Sequence, residues 1–156
     1  MLKLLRIDDR LVHGQVAFTW TPALGADCLV VANDRAAKDE FLRMTMGLAK
    51  PAGAKLMILT VAAAVTYIND IQNKGQGLLV LVDCVKDAHA LAEGVEEIRS
   101  INFGGIRAKP GAKAVTKALA LTDGDIILIR ELLQKGIELE ARQVPTDKKQ
   151  PIDHLI

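Results

Sequence analysis

The sequence predicts a single α/β domain over residues 1–156: an open, mainly parallel, twisted sheet of about seven strands with helices on both faces. Three observations lead there. Short aliphatic runs recur along the chain, each closed by a polar or glycine-containing loop. Stretches with helical spacing lie between most of them. Aromatics make up only 3% of a chain that is half hydrophobic, so the core must be aliphatic, as when helices pack on a buried sheet. Such alternation implies parallel strands joined by right-handed crossovers.

The apolar run Lys3 to Ile7 reads as the first strand and Gln15 to Leu24 as the first helix. Cys28 to Ala32 is short and wholly apolar, the mark of a strand buried on both faces. Ala36 to Ala49 follows as a helix, and Pro51 with Gly53 makes the turn into the strand Lys55 to Leu59. Val61 to Asn73 and Asp87 to Gly94 are helical, Leu78 to Val82 and Ile98 to Phe103 are strands, and Lys109-Pro110-Gly111 is a surface turn. Val115 to Leu121 is the next strand. Asp125 to Gln134 is a helix, with Asp123 able to cap it and Gly136 to end it. Ile137 to Gln143 is the last strand, and Pro145 to Pro151 forms an extended, charged connection to a short terminal segment.

Composition excludes several classes. Twenty basic residues against nineteen acidic ones leave a formal charge of +1, too little for a general nucleic-acid or anionic-membrane footprint. The first ten residues reach charge too soon for a signal peptide, and no run of about eighteen apolar residues occurs, so the chain reads as cytoplasmic. Cys28 and Cys84 lie far apart in apolar segments without metal-ligand spacing; they read as buried free thiols, and neither a metal nor a cofactor is expected.

In an open α/β sheet, ligands bind beyond the carboxyl ends of the strands. The first such loop runs Arg6-Ile7-Asp8-Asp9-Arg10-Leu11-Val12-His13-Gly14-Gln15-Val16 and sets two guanidiniums, two carboxylates and an imidazole just before a helix. His13 is a nucleophile at neutral pH that can carry a phosphoryl group for a time. A phosphohistidine needs positive surroundings. Arg6 and Arg10 offer planar forks for phosphate oxygens, the helix start adds amides and a positive dipole end, and Gly14 leaves room for close approach. Taken alone, however, a histidine beside Asp and Arg is more often a solvated or capping residue, and the arginines could equally pair with Asp8 and Asp9 at the surface.

The whole string resembles the phosphohistidine signature of the IIB components of the mannose/fructose/sorbose family of the bacterial sugar phosphotransferase system (PTS). The resemblance extends to Trp20, to Val31-Ala32-Asn33-Asp34, to Ile101-Asn102-Phe103-Gly104-Gly105-Ile106 and to Arg142-Gln143-Val144-Pro145-Thr146-Asp147, covering nearly the full chain. Phe103 stands where a β-branched residue is usual and Ile106 where Met is common, while Thr60 keeps a hydroxyl where the family often has serine.

The resemblance implies that His13 accepts a phosphoryl group from a phosphorylated IIA protein or domain. It then passes the group to a sugar held by the membrane IIC and IID components, with which the chain associates transiently at the inner face. Arg6, Arg10 and Gly14 would hold the phosphoryl group, and Asp8, Asp9, Asp34 and Thr60 would orient or support the site. Asn102, Gly104 and Gly105 would line the same crevice, although local capping by the acids and a plain glycine turn read equally well. Trp20 is read as core rather than as an interface anchor. His89 and His154 lack a comparable charged setting. The competing readings are a small cytosolic acid/base hydrolase using His13 with a nearby Asp, and a non-catalytic nucleotide- or anion-binding module. The first lacks a GxSxG elbow or P-loop, the second a GxGxxG fingerprint.

Overall fold

Near-continuous apolar strands can be satisfied only by burial on both faces, and the computed structural model, which describes residues 1–156, builds its centre from two of them. Strand β2 (Cys28–Ala32) and strand β4 (Leu78–Val82) are buried at every residue. They join β1 (Leu2–Asp8), β3 (Lys55–Leu59), β5 (Ser100–Gly105), β8 (Glu138–Ala141) and β9 (Gln150–Pro151) in one seven-stranded sheet of order β3-β2-β4-β1-β5-β8-β9. All neighbours are parallel except β8 and β9. Alternate residues supply two cores. Leu5, Ile7, Val30, Val80 and Val82 meet α3 (Val61–Asn69), α4 (Val85–Gly94) and α5 (Asp123–Gln134). On the other face Leu4, Leu29, Val31 and Leu79 meet Val16 and Trp20 of the first helical run and Met46 of α2 (Glu40–Ala49).

Several elements differ from expectation, each for a local reason. The first helix is a π-helical stretch, Val16–Trp20, running into one α-helical turn, α1 (Thr21–Leu24), which stops where Gly25 takes φ +63°. The predicted helix from Ala36 to Ala49 is broken at Asp39, whose extended backbone and side chain, accepting from Leu42 N at 3.1 Å, start α2 afresh. Asp123 is not the cap of α5. Thr122 is, in a reciprocal box with Asp125, and Gly136 at φ +81° follows its end. The predicted strand from Val115 to Leu121 is mostly a turn: the Thr116 hydroxyl accepts from Ala118 N and Leu119 N. It joins β6 (Ala112–Ala114) to β7 (Ala120–Thr122) in a separate antiparallel hairpin. The seventh strand of the sheet is instead β9, where the charged connection after Pro145 folds back against β8.

Chain direction across the sheet reverses around β1. The chain leaves β1 toward β2 on one side and leaves β5 toward β8 on the other, so the crevice beyond the carboxyl ends of β1 and β5 is a topological switch point.

Candidate functional site around His13

The loop after β1 crosses that crevice. Asp9 N donates to Gly105 O at 2.9 Å and Leu11 N to Asp8 O at 2.9 Å, so the chain turns sharply over the sheet edge. Leu11 completes the turn at φ +56°, a conformation that costs a β-carbon residue about 1–3 kcal/mol, and it stays there with its side chain buried. His13 follows at the head of the helical run, its carbonyl accepting from Ala17 N at 3.0 Å.

Asp8 is the hub. Its side chain is wholly buried and takes hydrogen bonds from His13 Nε2 at 3.0 Å, Arg10 N at 3.1 Å, Arg10 Nε at 3.2 Å and Arg6 Nη2 at 3.3 Å. Burial on its own would push its pKa up. The hydrogen bonds from His13 and from the Arg10 backbone and side chain outweigh that and hold it down at about 2. An ionised carboxylate can only accept, so in the singly protonated His13 ring the proton sits on Nε2 and the lone pair is on Nδ1. The His13 side chain keeps 17% of its surface exposed.

The two arginines occupy different settings. Arg10 is 46% exposed and shares Asp8 through Nε and Nη2, so part of its fork faces solvent beside His13. Arg6, expected as a second phosphate fork, is buried completely, and that expectation is corrected. Its guanidinium donates to Asn102 Oδ1 at 2.6 Å and Arg142 O at 3.0 Å, and lies 4.8 Å from the centre of the Trp20 ring. Burial pushes its pKa down from the ordinary value while Asp8 opposes the shift. Trp20 is core, as expected, and its Nε1 donates to Gln143 O at 3.0 Å.

Other expected supports are displaced. Asp9 accepts from the backbone N and Nε of Arg107, at 2.8 and 3.1 Å, tying the β1 loop to the loop after β5 rather than to His13. Asp34 accepts from Val61 N at 2.9 Å and the Thr60 hydroxyl from Ala63 N at 3.1 Å; both cap α3 instead of orienting the imidazole. A Cβ on Gly14 would meet only Phe18, at 3.9 Å, so no neighbour requires glycine there. Gly104 is different. It is the extra residue of a bulge, since Ile7 pairs with Phe103 but Asp8 with Gly105, and a Cβ there would overlap the Arg6 guanidinium. Gly105 has only ordinary contacts. Asn102 is buried in the crevice floor. Burial raises the thiol pKa of Cys28 and pushes that of Cys84 up to about 12, so neither is a ready thiolate. His89 lies 3.5 Å from Glu93 and Glu131 between α4 and α5, and His154 is exposed on the C-terminal 3-10 turn.

A buried carboxylate thus pins the imidazole at the switch point. Residues 2–156 match the family described as the PTS system sorbose subfamily IIB component. The chain belongs to that family. It is 36% identical over 162 residues to a probable phosphotransferase enzyme IIB component of Streptococcus pyogenes, covering 100% of this chain and 99% of that one. It is 33% identical over 156 residues to the mannose-specific EIIAB component of Escherichia coli, covering 100% of this chain but only 48% of that protein. The crystal structure of the IIBSor domain of the sorbose permease from Klebsiella pneumoniae superposes with a TM-score of 0.94 at 32% identity, covering 99% of this chain and 95% of that one. EIIB components are phosphotransferases, and this IIB component is therefore one of them.

Two residues of this IIB component that touch the site were given no site role from the sequence, although Arg142 heads one of the motifs that carry the resemblance. Arg142 and Glu140 form a two-bond ion pair, both contacts at 2.9 Å, and the Arg142 guanidinium lies 5.1 Å from the Trp20 ring centre. The signal was present: Glu140 and Arg142 alternate with Leu139 and Ala141, placing two charges on one face of a strand that ought to be buried.

Proposed function

We propose that this IIB component carries a phosphoryl group on His13. It accepts the group from a phosphohistidine on a IIA protein or domain and delivers it to a sugar held by membrane IIC and IID components. The observation that carries the reading is the hydrogen bond of 3.0 Å between His13 Nε2 and the buried carboxylate of Asp8. With Nε2 protonated, the lone pair of Nδ1 attacks phosphorus as the donor's N–P bond breaks, and the bond electrons return to the departing imidazole. The phosphorylated ring then bears positive charge shared with Nε2–H, where Asp8 neutralises it. Arg10 faces the transferring oxygens, and the amide of Gly14 at the helix start adds a donor. Arg6, Asn102 and Gly104 build the floor on which Asp8 rests.

The Escherichia coli relative carries A and B in one name and one chain, which supports a IIA donor. No helix is long and apolar enough to cross a membrane, in keeping with a IIB unit that meets IIC and IID at the inner, cytoplasmic face. Incubation with phosphorylated IIA tests the reading: one acid-labile, base-stable phosphoryl group is gained, and His13→Ala abolishes it while His89→Ala and His154→Ala do not. Gain of the group by His13→Ala would overturn it. Turnover of a free metabolite without a phosphorylated donor would favour the hydrolase reading.

A further inference from the structure

Arg6 on β1 stands in register with Asn102 on β5, and Asn102 with Glu140 on β8, so three polar side chains form one row across the sheet. On the other side of Arg6 the row continues as Leu81, the apolar residue that a buried parallel sheet ordinarily places there. All three polar residues are buried, Glu140 with 3% of its surface exposed. A buried charged row is a poor route to stability, because well-packed apolar residues of similar volume are often as stable or more so. Its polarity, by contrast, is directional. Arg6 can only donate and an ionised Glu140 can only accept, so a single orientation of the Asn102 amide satisfies both: Oδ1 toward Arg6 at 2.6 Å and Nδ2 toward Glu140 at 3.1 Å. Arg6 so held presents Nη2 to Asp8, and Asp8 holds His13. Arg142, paired with the same carboxylate, and Gln143, whose amide donates to Gly104 O, close the far side of the guanidinium.

We propose that Glu140 is a positioning residue for His13, acting across two strands through Asn102, Arg6 and Asp8; this rests on the carrier reading given above. The carboxylate fixes the Asn102 amide with its oxygen toward Arg6, and the guanidinium so seated presents Nη2 to Asp8, which holds the His13 ring.

The experiment compares wild type, Glu140→Gln and the double variant Asn102→Asp, Glu140→Gln in the intact chain. The double variant returns an acceptor-only carboxylate to the row beside Arg6 and keeps the net charge. Two readouts are taken: the rate of phosphoryl gain from phosphorylated IIA, and ¹⁵N NMR of the His13 ring. Glu140→Gln is expected to slow the gain on the order of tenfold, the usual scale for outer partners of a reactive group, and to lower the share of the Nε2–H tautomer. The double variant is expected to recover most of both. A folded Glu140→Gln chain with wild-type rate and ring signals would overturn the proposal. So would a double variant that regains stability to urea but neither rate nor tautomer. If Glu140→Gln fails to fold, the double variant alone decides, since it keeps the row's polarity and must show near wild-type values. Failure of the carrier reading looks different, because wild type itself would then gain no phosphoryl group on His13.

Discussion

Replacing Asp8 with Asn removes the charge at the centre of the site and keeps its shape. In the folded protein burial works against the Asp8 carboxylate, but the bonds from His13 and Arg10 prevail and lower its pKa from 3.8 to about 2. At about 1.4 kcal/mol per unit, that depression is equivalent to about 2 kcal/mol of stability. The folded chain binds this proton less readily than the unfolded chain. The contribution is therefore complete above about pH 5 and disappears as pH falls through the folded pKa near 2. Asp8→Asn also leaves Arg6 buried without its charged partner, a change that costs about 3–5 kcal/mol in comparable pairs. Urea unfolding followed by the fluorescence of Trp20, the single tryptophan, measures both effects across a pH series. The variant is expected to be less stable by about 3 kcal/mol or more at pH 7, with the gap narrowing by about 2 kcal/mol between pH 5 and pH 2. A gap that stays constant over that range would refute the claim that the native contacts hold Asp8 ionised.

Three further outcomes follow from the same geometry. Gly104→Ala is expected to destabilise the chain by about 1–3 kcal/mol, because the new methyl meets the Arg6 guanidinium, whereas Gly105→Ala should cost little; equal effects in thermal unfolding would contradict the assignment of the bulge. At Leu11, where φ is +56°, Leu11→Gly should be less destabilising than Leu11→Ala in chemical unfolding, since both lose the buried side chain and only glycine relieves the backbone. Arg10→Lys should slow phosphoryl gain about 10–100-fold, as expected for loss of a charge-assisted bond of ~1.5–3 kcal/mol. Asp9→Asn, which touches the Arg107 loop, should leave the rate near wild type; reversed effects in a rapid-quench assay would exchange their roles.

The sheet was legible because parallel strands buried on both faces must be apolar. Cys28 to Ala32 and Leu78 to Val82 announce themselves by composition alone, and β4 fits between β1 and β2 for the same reason. Val115 to Leu121 misled because only Ala120 and Leu121 lie in a strand, β7, whereas Val115 to Leu119 belong to a turn fixed by one threonine hydroxyl, a bond invisible to periodicity. The two-residue β9 carries too little pattern to be read at all. At the site, His13, Asp8 and Arg10 are close in sequence, so a single loop brings them together. Arg6 is just as near in sequence, yet strand alternation turns it into the core beside Leu4 and Trp20, toward partners on β5 and after β8. Asp34 and Thr60 sit at strand ends as expected, but the open amides of α3 are closer to them than His13 is, and capping takes precedence.

The most direct measurement is ³¹P and ¹⁵N NMR of the ring-labelled chain after transfer from phosphorylated IIA. With Nε2–H held by Asp8, the phosphoryl group is expected on Nδ1 of His13, with coupling of phosphorus to that nitrogen alone. Phosphorus bonded to Nε2, or to His89 or His154, would contradict the account.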